Sequence, residues 1–336
     1  MDNTLRVAVV GTGAQAQLAY LPALRANRSV SIAALCDTDI RKLNHLSQLY
    51  QVEKRHVDFD RIKEDPAIDA ILIATPNYLH APMAIAAMEY GKDVLCEVPL
   101  GMNAAETMSM IETASRQNRR LMPCLCTRLR PDVQSIRRFI DGRELGQLYY
   151  CKTGWLQGRE SWSERSWHLR QREAGGGAFL SLATALLDSA LWLVAPARPV
   201  KLTGAALRRD NRSQVEDTAF AMISFDTGLL LTIEVGWSLL MERDFVYLNI
   251  FGTSGAALLN PVQIHKEMHG HLVNVTPQMP AKGHMRAATR LLIDLWVDSL
   301  VNDKPVPIPP EEALLISQVC DAFYKSVPSR CETPIC

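Results

Sequence analysis

The chain has 336 residues, of which 48% are hydrophobic and 21% are charged, and its 36 Lys and Arg balance its 36 Asp and Glu. This composition is typical of a globular protein of two or three domains, and it excludes a disordered, collagenous or coiled-coil chain. A net charge of zero gives no field that attracts nucleic acid or an anionic membrane, and no apolar run reaches the roughly 18 residues that span a bilayer. The eight cysteines form no CxxC motif, and the N-terminus lacks the layout of a signal peptide. We therefore expect a cytoplasmic protein that binds neither nucleic acid nor membranes.

The first 125 residues alternate between strand-like and helix-like segments. Val-rich apolar runs such as 5–10 are typical of strands buried on both faces, and a helical stretch follows each of them. This alternation predicts βαβ units and a doubly wound parallel sheet, the Rossmann fold. The predicted strands are 5–10, 31–37, 69–76, 93–99 and 120–126. One predicted helix ends near residue 25, and three further predicted helices span 40–50, 79–90 and 104–117.

The pattern changes after Arg130–Pro131. Strand-like runs now follow one another with turn residues between them, which predicts a large, mostly antiparallel sheet. We therefore predict an α/β domain at 1–126 and an α+β domain at 127–336. In the second domain the predicted strands are 146–156, 201–207, 218–225, 228–237, 245–252 and 271–276, and the predicted helices are 133–141, 179–193, 285–300 and 311–325.

A glycine turn follows the first predicted strand, where residues 11–16 read GTGAQA. In the dinucleotide-binding fingerprint one glycine makes the tight turn, a second lets the backbone meet the pyrophosphate, and a small third residue allows the helix to pack on the strand. The helix that begins here would offer its first N–H groups to the phosphates. The residues predicted to bind the cofactor at this turn are Gly11, Thr12, Gly13, Ala14 and Gln15.

An acidic residue ends the second predicted strand. Asp37 lies 24 residues after Gly13, a spacing that suits a carboxylate accepting hydrogen bonds from the adenosine ribose. A carboxylate there would repel a 2′-phosphate, so the sequence favours NAD over NADP. Arg41, one helical turn later, keeps NADP open as the second choice.

Four further segments resemble the Gfo/Idh/MocA family, the group of glucose-fructose oxidoreductase and inositol dehydrogenase. They are ATPNYLHAPMAIAAMEYGKDVLCEVP at 74–99, CTRLRPDV at 126–133, EAGGGAFLSLATALLD at 173–188 and EEALLISQVCDAFYKS at 311–326. The resemblance covers essentially the whole chain. It implies a Rossmann domain followed by a substrate domain whose open sheet builds homodimers or homotetramers. It also places further residues beside the cofactor, namely Thr75, Pro76, Asn77, His80 and Glu97.

Three positions depart from the family pattern. The resemblance implies a Lys after Glu97, and an Asp and a His four residues apart on the helix after the glycine triplet. This chain has Val98, Ser181 and Ala185 at those positions. Oxidation of an alcohol sends a hydride to the nicotinamide and a proton to a base, and general acid–base catalysis is typically worth about 10²–10⁴-fold, or about 3–5 kcal/mol. Either the proton relay has moved, or the site no longer oxidises alcohols.

Several residues are candidates for a relocated relay or for substrate binding. His168 titrates in the useful range, and Lys152 lies on a predicted strand of the second domain, so these two are the predicted catalytic residues. Asp188 is interpreted as structural. The predicted substrate-binding residues are Arg128, Trp167, Gly176 and Ser181, and the additional candidates are Tyr78, Arg130, Arg159 and Arg165.

Three histidines, His265, His269 and His271, form a fragment that could ligate a metal, but Gly270 between the last two indicates a hairpin turn, and no metal site is predicted.

The sequence as a whole predicts an NAD(P)-dependent oxidoreductase that acts on a sugar, a cyclitol or a related polar small molecule through an atypical proton relay. The alternative is a non-catalytic NAD-binding sensor or partner subunit. A third hypothesis is redox-neutral elimination, as in the family's NAD-dependent glycosidases.

Overall fold

The computed structural model describes residues 4–158, 166–209, 212–279 and 283–336. The chain divides into two compact units, one of residues 1–126 and 285–315 and the other of residues 127–284 and 316–336. The division at 126/127 coincides with the predicted one. Residues 285–315, which the sequence analysis assigned to the second domain, group instead with the first unit. Within that unit Asn27 donates a 2.7 Å hydrogen bond to Asp294, and Arg120 pairs with Asp303.

The first unit contains a six-stranded sheet in which all the pairs are parallel. Its strand order is β3-β2-β1-β4-β5-β6, the order of a dinucleotide-binding Rossmann fold. The structure therefore confirms the predicted parallel sheet. The strands are β1 (Leu5–Val10), β2 (Val30–Cys36), β3 (Lys54–His56), β4 (Ala70–Ile73), β5 (Asp93–Cys96) and β6 (Leu121–Pro123).

Five helices connect these strands, and their ends follow from local side-chain chemistry. Asp39 accepts hydrogen bonds from the N–H groups of Arg41 and Lys42 at the start of α2, and Asn103 accepts one from Glu106 at the start of α5. The helices are α1 (Leu21–Ala26, continuing a π-helical segment Ala16–Tyr20), α2 (Ile40–Tyr50), α3 (Asp60–Lys63), α4 (His80–Glu89) and α5 (Ala104–Gln117).

The second unit contains a nine-stranded sheet of order β14-β13-β12-β11-β7-β10-β9-β8-β15. Only the β7–β10 pair is parallel among the paired strands that the structure describes. The predicted, mostly antiparallel sheet is confirmed. The strands are β7 (Leu148–Gly158), β8 (Pro199–Leu207), β9 (Thr218–Phe225), β10 (Leu230–Leu239), β11 (Phe245–Gly252), β12 (Gly255–Leu259), β13 (Gln263–Met268), β14 (His271–Asn274) and β15 (Thr333–Pro334).

The remaining helices are α6 (Pro131–Asp141), α7 (Gln171–Ala174), α8 (Thr184–Val194, continuing a π-helical segment Phe179–Ala183), α9 (His284–Val301) and α10 (Pro310–Ser329). By length and composition the helical stretch Gln171–Val194 could cross a membrane, although the sequence contains no uninterrupted apolar run of about 18 residues. In this structure 83% of its most apolar window is buried inside the protein, as expected of a core helix.

The nine-stranded sheet has two different faces. One face packs against helices: Phe179 stacks on Phe323 of α10 at 3.7 Å between ring centres, and Ser326 of α10 bonds the backbone N–H of Gly204 in β8. Alternate residues point to the other face, which we call the outer face. It is defined by Lys152, Phe220, Met222, Glu234 and Tyr247, which are neighbours across β7, β9, β10 and β11.

A buried ion pair ties Thr127–Leu129, a 3-10 turn, to α8. The guanidinium of Arg128 pairs with the carboxylate of Asp188, which also accepts a 3.1 Å bond from the Arg128 backbone N–H. Arg128 is 5% exposed and Asp188 is fully buried. The prediction that Arg128 binds a substrate anion is therefore wrong in this structure, because its charge is already neutralised in the core. Arg130 is similarly held by Asp132, at 3.0 and 2.5 Å.

Replacement of Arg128 by Met should destabilise the protein by about 3–5 kcal/mol, because it leaves the Asp188 carboxylate buried without its cation. Urea unfolding measures this loss. Lys201→Met is the matched control, since it removes one member of an exposed pair with Glu332 and should cost less than about 1 kcal/mol. An Arg128→Met protein of wild-type stability would contradict the structural role.

Candidate dinucleotide site

The glycine turn lies where the strand order of the first sheet reverses, between the carboxyl ends of β1 and β4. Gly11 has a φ of +86°, and a Cβ atom added to it would lie 2.3 Å from the carbonyl oxygen of Ala74. The N–H of Gly11 donates to Cys36 O at 2.8 Å, and that of Ala74 donates to Val10 O at 2.7 Å. Only glycine fits here, since both the conformation and the contact exclude a side chain. Ligands of open α/β sheets bind at such a reversal point.

Gly13 differs from Gly11 in having open space around it. A Cβ atom added to Gly13 would have no neighbour within 4 Å among the described atoms, and its φ is ordinary. Helical conformation begins at Ala14, and both Ala14 and Gln15 are exposed. The first N–H groups of a helix have no partner within the helix. The turn therefore presents backbone donors to open space at the protein surface, which fits the pyrophosphate of a dinucleotide.

Asp37 is held by the glycine turn itself. Its Oδ2 accepts the backbone N–H and the hydroxyl of Thr12, at 2.7 and 2.8 Å, and its Oδ1 accepts the N–H of Asp39 at 2.9 Å. The Thr12 carbonyl in turn accepts a 2.7 Å bond from the Gln17 amide. Asp37 thus lies beside the turn as predicted, with its orientation fixed by neighbours. Whether it binds a ribose stays a prediction.

The loop after β4 carries the next group of predicted residues. The Thr75 hydroxyl is buried with no hydrogen-bond partner among the described atoms, which fits a position that bonds a polar ligand. Pro76 precedes the 3-10 turn Asn77–Leu79, and Asn77 is buried. The two ring nitrogens of His80 lie 2.8 Å from Thr75 O and 2.7 Å from Pro99 O. His80 therefore joins the loops after β4 and β5.

Burial lowers the pKa of His80, while its two carbonyl partners oppose that shift. A neutral imidazole carries one N–H and can donate to one of the two carbonyl groups at a time. The side chain is 1% exposed, so its part in the site is to position these loops.

Glu97 follows β5 and is not an exposed acid. Its Oε1 accepts a 2.5 Å hydrogen bond from the Tyr20 hydroxyl, and its Oε2 accepts the Val98 N–H at 3.0 Å. Burial raises the pKa of Glu97, and these two hydrogen bonds partly oppose the shift. Tyr20, which ends the π-helical segment after the glycine turn, is a site residue that the sequence analysis missed. No local pattern signals it, because its partner lies 77 residues away.

Of the three replaced positions, Val98 lies in the first unit, and Ser181 and Ala185 lie in the second. Val98 is half-buried directly after Glu97. Ser181 is exposed and Ala185 is half-buried. Ser181 lies inside the π-helical segment Phe179–Ala183, so the α-helical spacing used to relate positions 181 and 185 does not hold throughout that interval. That the family's acid–base groups are lost at these positions stays a prediction.

The glycine triplet 175–177 contacts side chains of the protein itself, those of Glu216 and Tyr324. The Gly177 N–H donates to the Glu216 carboxylate at 3.1–3.2 Å, and the Phe179 N–H donates to it at 3.0 Å. The Tyr324 hydroxyl donates to Glu216 at 2.9 Å and accepts from Gly177 N–H at 3.1 Å. A Cβ atom on Gly176 would lie 2.1 Å from that hydroxyl. The prediction that Gly176 receives a substrate is therefore wrong, and Glu216 and Tyr324 are two further residues that the sequence analysis missed.

The two predicted catalytic residues do not have the properties expected of them. His168 bonds Ser166 at 2.9 Å and stacks on Trp167, and burial lowers its pKa to about 4, below the useful range. Lys152 lies on the outer face with its ammonium 5.1 Å from the Tyr247 ring centre, on the side of the sheet opposite α8. The structure therefore corrects both assignments. Trp167 is half-buried and Tyr78 is 39% exposed, and their roles stay predictions.

Arg159 and Arg165 lie outside the described residues. His269 and Gly270, with φ of 54° and 79°, form the turn between β13 and β14, as Gly270 indicated. Within the described ranges, no group of three or more His, Cys, Asp or Glu side chains is placed to hold a metal ion.

Gly177→Ala should destabilise the protein by about 3 kcal/mol, because the new Cβ would lie 2.0 Å from the Glu216 carbonyl oxygen. Gly142→Ala is the control, since its nearest atoms are 3.3 Å away and its φ is −71°. Thermal and urea unfolding measure both variants. If Gly177→Ala folded normally and lost only ligand affinity, the triplet would serve a ligand and not packing.

Comparison with known proteins agrees with this architecture. Residues 5–124 match the NAD-binding Rossmann-fold domain of the GFO_IDH_MocA oxidoreductase family, and residues 133–258 match a C-terminal domain of that family. Levoglucosan dehydrogenase of Pseudarthrobacter phenanthrenivorans is 29% identical over 226 residues, which are 60% of this chain and 58% of that protein. D-glucoside 3-dehydrogenase of Escherichia coli is 22% identical over an alignment covering 97% of this chain and 96% of that protein.

A solved structure of levoglucosan dehydrogenase, in complex with NADH and levoglucosan, shares the fold with a TM-score of 0.87 at 21% identity, over 99% of each chain. The parallel sheet with its glycine turn and the matches to both domains lead to one conclusion. The chain belongs to the Gfo/Idh/MocA family of oxidoreductases.

Proposed function

We propose that this protein is an NAD(H)-dependent oxidoreductase that acts on a sugar, a cyclitol or a related polar small molecule. The observation that carries the proposal is the open space at Gly13, beside helix N–H groups and at the reversal point of the sheet. The buried, unpartnered hydroxyl of Thr75 supports it. NAD is proposed over NADP because the Asp37 carboxylate is held beside the glycine turn. The names of the two dehydrogenases described above support a sugar-like substrate.

In this proposal the nicotinamide, when bound, supplies the hydride acceptor or donor. The chain's own residues bind and orient it. The N–H groups of Gly13, Ala14 and Gln15 hold the pyrophosphate, and Asp37 accepts from the ribose. Thr75, Pro76 and Asn77 border the dinucleotide. His80 and Glu97 keep the loops after β4 and β5 in place.

Proton transfer must follow a path different from the family's Lys, Asp and His. Val98 and Ala185 carry no titratable group, and a hydroxyl such as that of Ser181 is a poor base on its own. His168, with a pKa of about 4, is a weak base at neutral pH. These observations also favour the second candidate, a non-catalytic NAD-binding sensor or partner subunit.

The Gly13→Ala variant tests the proposed cofactor site. Its stability should stay within about 0.5 kcal/mol of wild type, because the new methyl group meets no protein atom. Its affinity for NADH should fall by roughly tenfold or more, because the methyl group occupies the space where the pyrophosphate approaches. Thermal unfolding and titration calorimetry with NADH measure the two effects.

Gly11→Ala is the contrasting variant, and it should unfold readily because of its contact with Ala74. Unchanged NADH binding by Gly13→Ala would contradict the proposed site.

The wild-type protein is also assayed with NAD⁺ or NADH against sugars, inositols and their keto forms at the nicotinamide absorbance band. Turnover supports the oxidoreductase, whereas binding without turnover on any of them supports the sensor.

We also propose a homodimer or homotetramer that forms through the outer face. Phe220 and Met222 are 42% and 44% exposed there, beside the oppositely charged Lys152 and Glu234. A two-fold axis repeats one patch on both subunits, so a face that carries both charge signs and apolar side chains can pair with itself. An exposed apolar patch of this kind is typical of protein interfaces.

The variant Phe220→Glu should shift the protein to the monomer, because assembly would then bury an added carboxylate of each subunit in the apolar part of the outer face. Light scattering after size-exclusion chromatography measures the mass. Leu49→Glu, at a 51% exposed position on α2 of the first unit, is the control and should leave the mass unchanged. A wild-type monomer, or an unaltered Phe220→Glu oligomer, would show that this face does not mediate assembly.

A further inference from the structure

The acceptor atoms of Asp37 are unequally occupied. Oδ2 receives two donors, the backbone N–H and the hydroxyl of Thr12, at 2.7 and 2.8 Å. Oδ1 receives one donor, the N–H of Asp39 at 2.9 Å. Each carboxylate oxygen offers about two acceptor positions, so Oδ2 is filled and Oδ1 keeps one position. Only Oδ1 can accept a further hydrogen bond without a change in the Thr12 contacts.

Thr12 is suited to hold this arrangement. It is fully buried, and its backbone carbonyl is bonded by the Gln17 amide at 2.7 Å, so its main chain is fixed on both sides. A buried hydroxyl between a fixed backbone and a carboxylate restrains the rotation of that carboxylate. The Thr12 N–H donates to Asp37 as well. The backbone donors that remain to face a pyrophosphate are therefore those of Gly13, Ala14 and Gln15.

We propose that Thr12 is a specificity-determining residue: it locks Asp37 so that the single oxygen Oδ1 meets the adenosine ribose. The inference rests on the proposed function. It follows that only one of the two ribose hydroxyls bonds Asp37. It also follows that the carboxylate does not turn away to admit a 2′-phosphate, which would meet it at short range.

The neighbourhood of Asp37 strengthens this selection against a phosphate. Asp39 is fixed as well, because its Oδ1 accepts the N–H groups of Arg41 and Lys42 at 3.0 and 3.2 Å. Two carboxylates therefore hold set positions at the carboxyl end of β2. The Lys42 ammonium lies 3.4 Å from Asp39 Oδ2 in an exposed pair. Removal of the Thr12 hydroxyl takes one of the three hydrogen bonds from Asp37, leaves its two backbone N–H bonds in place, and does not touch the contacts of Asp39.

The test uses Thr12→Val, which keeps the N–H bond to Oδ2 and the shape of the side chain but removes the hydroxyl. Calorimetry measures NAD⁺, NADP⁺ and the NAD⁺ analogues with 2′-deoxy- and 3′-deoxyadenosine. For the wild type we expect about a tenfold loss of affinity with one deoxy analogue and less than about twofold with the other. In Thr12→Val the NAD⁺ affinity should fall roughly tenfold and the NAD⁺/NADP⁺ ratio should fall as well, while Thr12→Ser restores both.

Thr107→Val is the matched control, because Thr107 is also fully buried and its hydroxyl donates to a backbone carbonyl, that of Asn103, at 3.1 Å. It should change stability but not the ratio of the two affinities. Equal losses with both deoxy analogues, or an unchanged ratio in Thr12→Val, would overturn the inference while NAD⁺ binding by the wild type upholds the proposed function. A wild type that binds neither dinucleotide would overturn both.

Discussion

The close approach of β1 to β4 is the constraint on which the nucleotide-binding unit depends. The carbonyl oxygen of Ala74 lies where a side chain on Gly11 would be, so the two strand ends come together only because residue 11 has none. This contact directs the chain at Gly13 into open space and starts the helix at Ala14. It also brings Thr12 within hydrogen-bond reach of Asp37 at the end of β2. One steric condition therefore sets the turn, the helix start and the position of the acid.

Half-buried carboxylates then organise the surroundings of both glycine-rich segments. Asp37 is held by Thr12, Glu97 by Tyr20, and Glu216 by the N–H groups of residues 177 and 179. In each case a carboxylate receives donors that would otherwise be buried without partners, and removing such a partner is expensive. The two segments nevertheless differ in outcome. At residue 13 the donors face open space, whereas at the triplet the protein's own acid and phenol use them.

The fold follows from local signals, and the site does so only in part. Apolar runs located β1, β4 and β9, and Asp39 and Asn103 mark the starts of α2 and α5. The strand β3 was missed because its residues, Lys54–His56, are polar and gain their strand form from pairing with β2. Arg128 was misassigned because its partner lies 60 residues away, and the same holds for the triplet, whose partner Tyr324 is 147 residues from Gly177. Spacing along the chain carries no information about such contacts.

The proposed cofactor site and the proposed proton relay use different residues. Every contact described around Gly11, Asp37, His80 and Glu97 is made within the first unit, and none uses the side chain of Val98. The hydrogen bonds described around these four residues therefore do not depend on which side chain stands at position 98. In the proposed function, a replacement at position 98, 181 or 185 acts on proton transfer, a step that general acid–base catalysis typically accelerates by about 10²–10⁴-fold. In the proposed function, the contacts around Gly11, Asp37, His80 and Glu97 can thus be kept while the chemistry at the substrate is altered, slowed or lost.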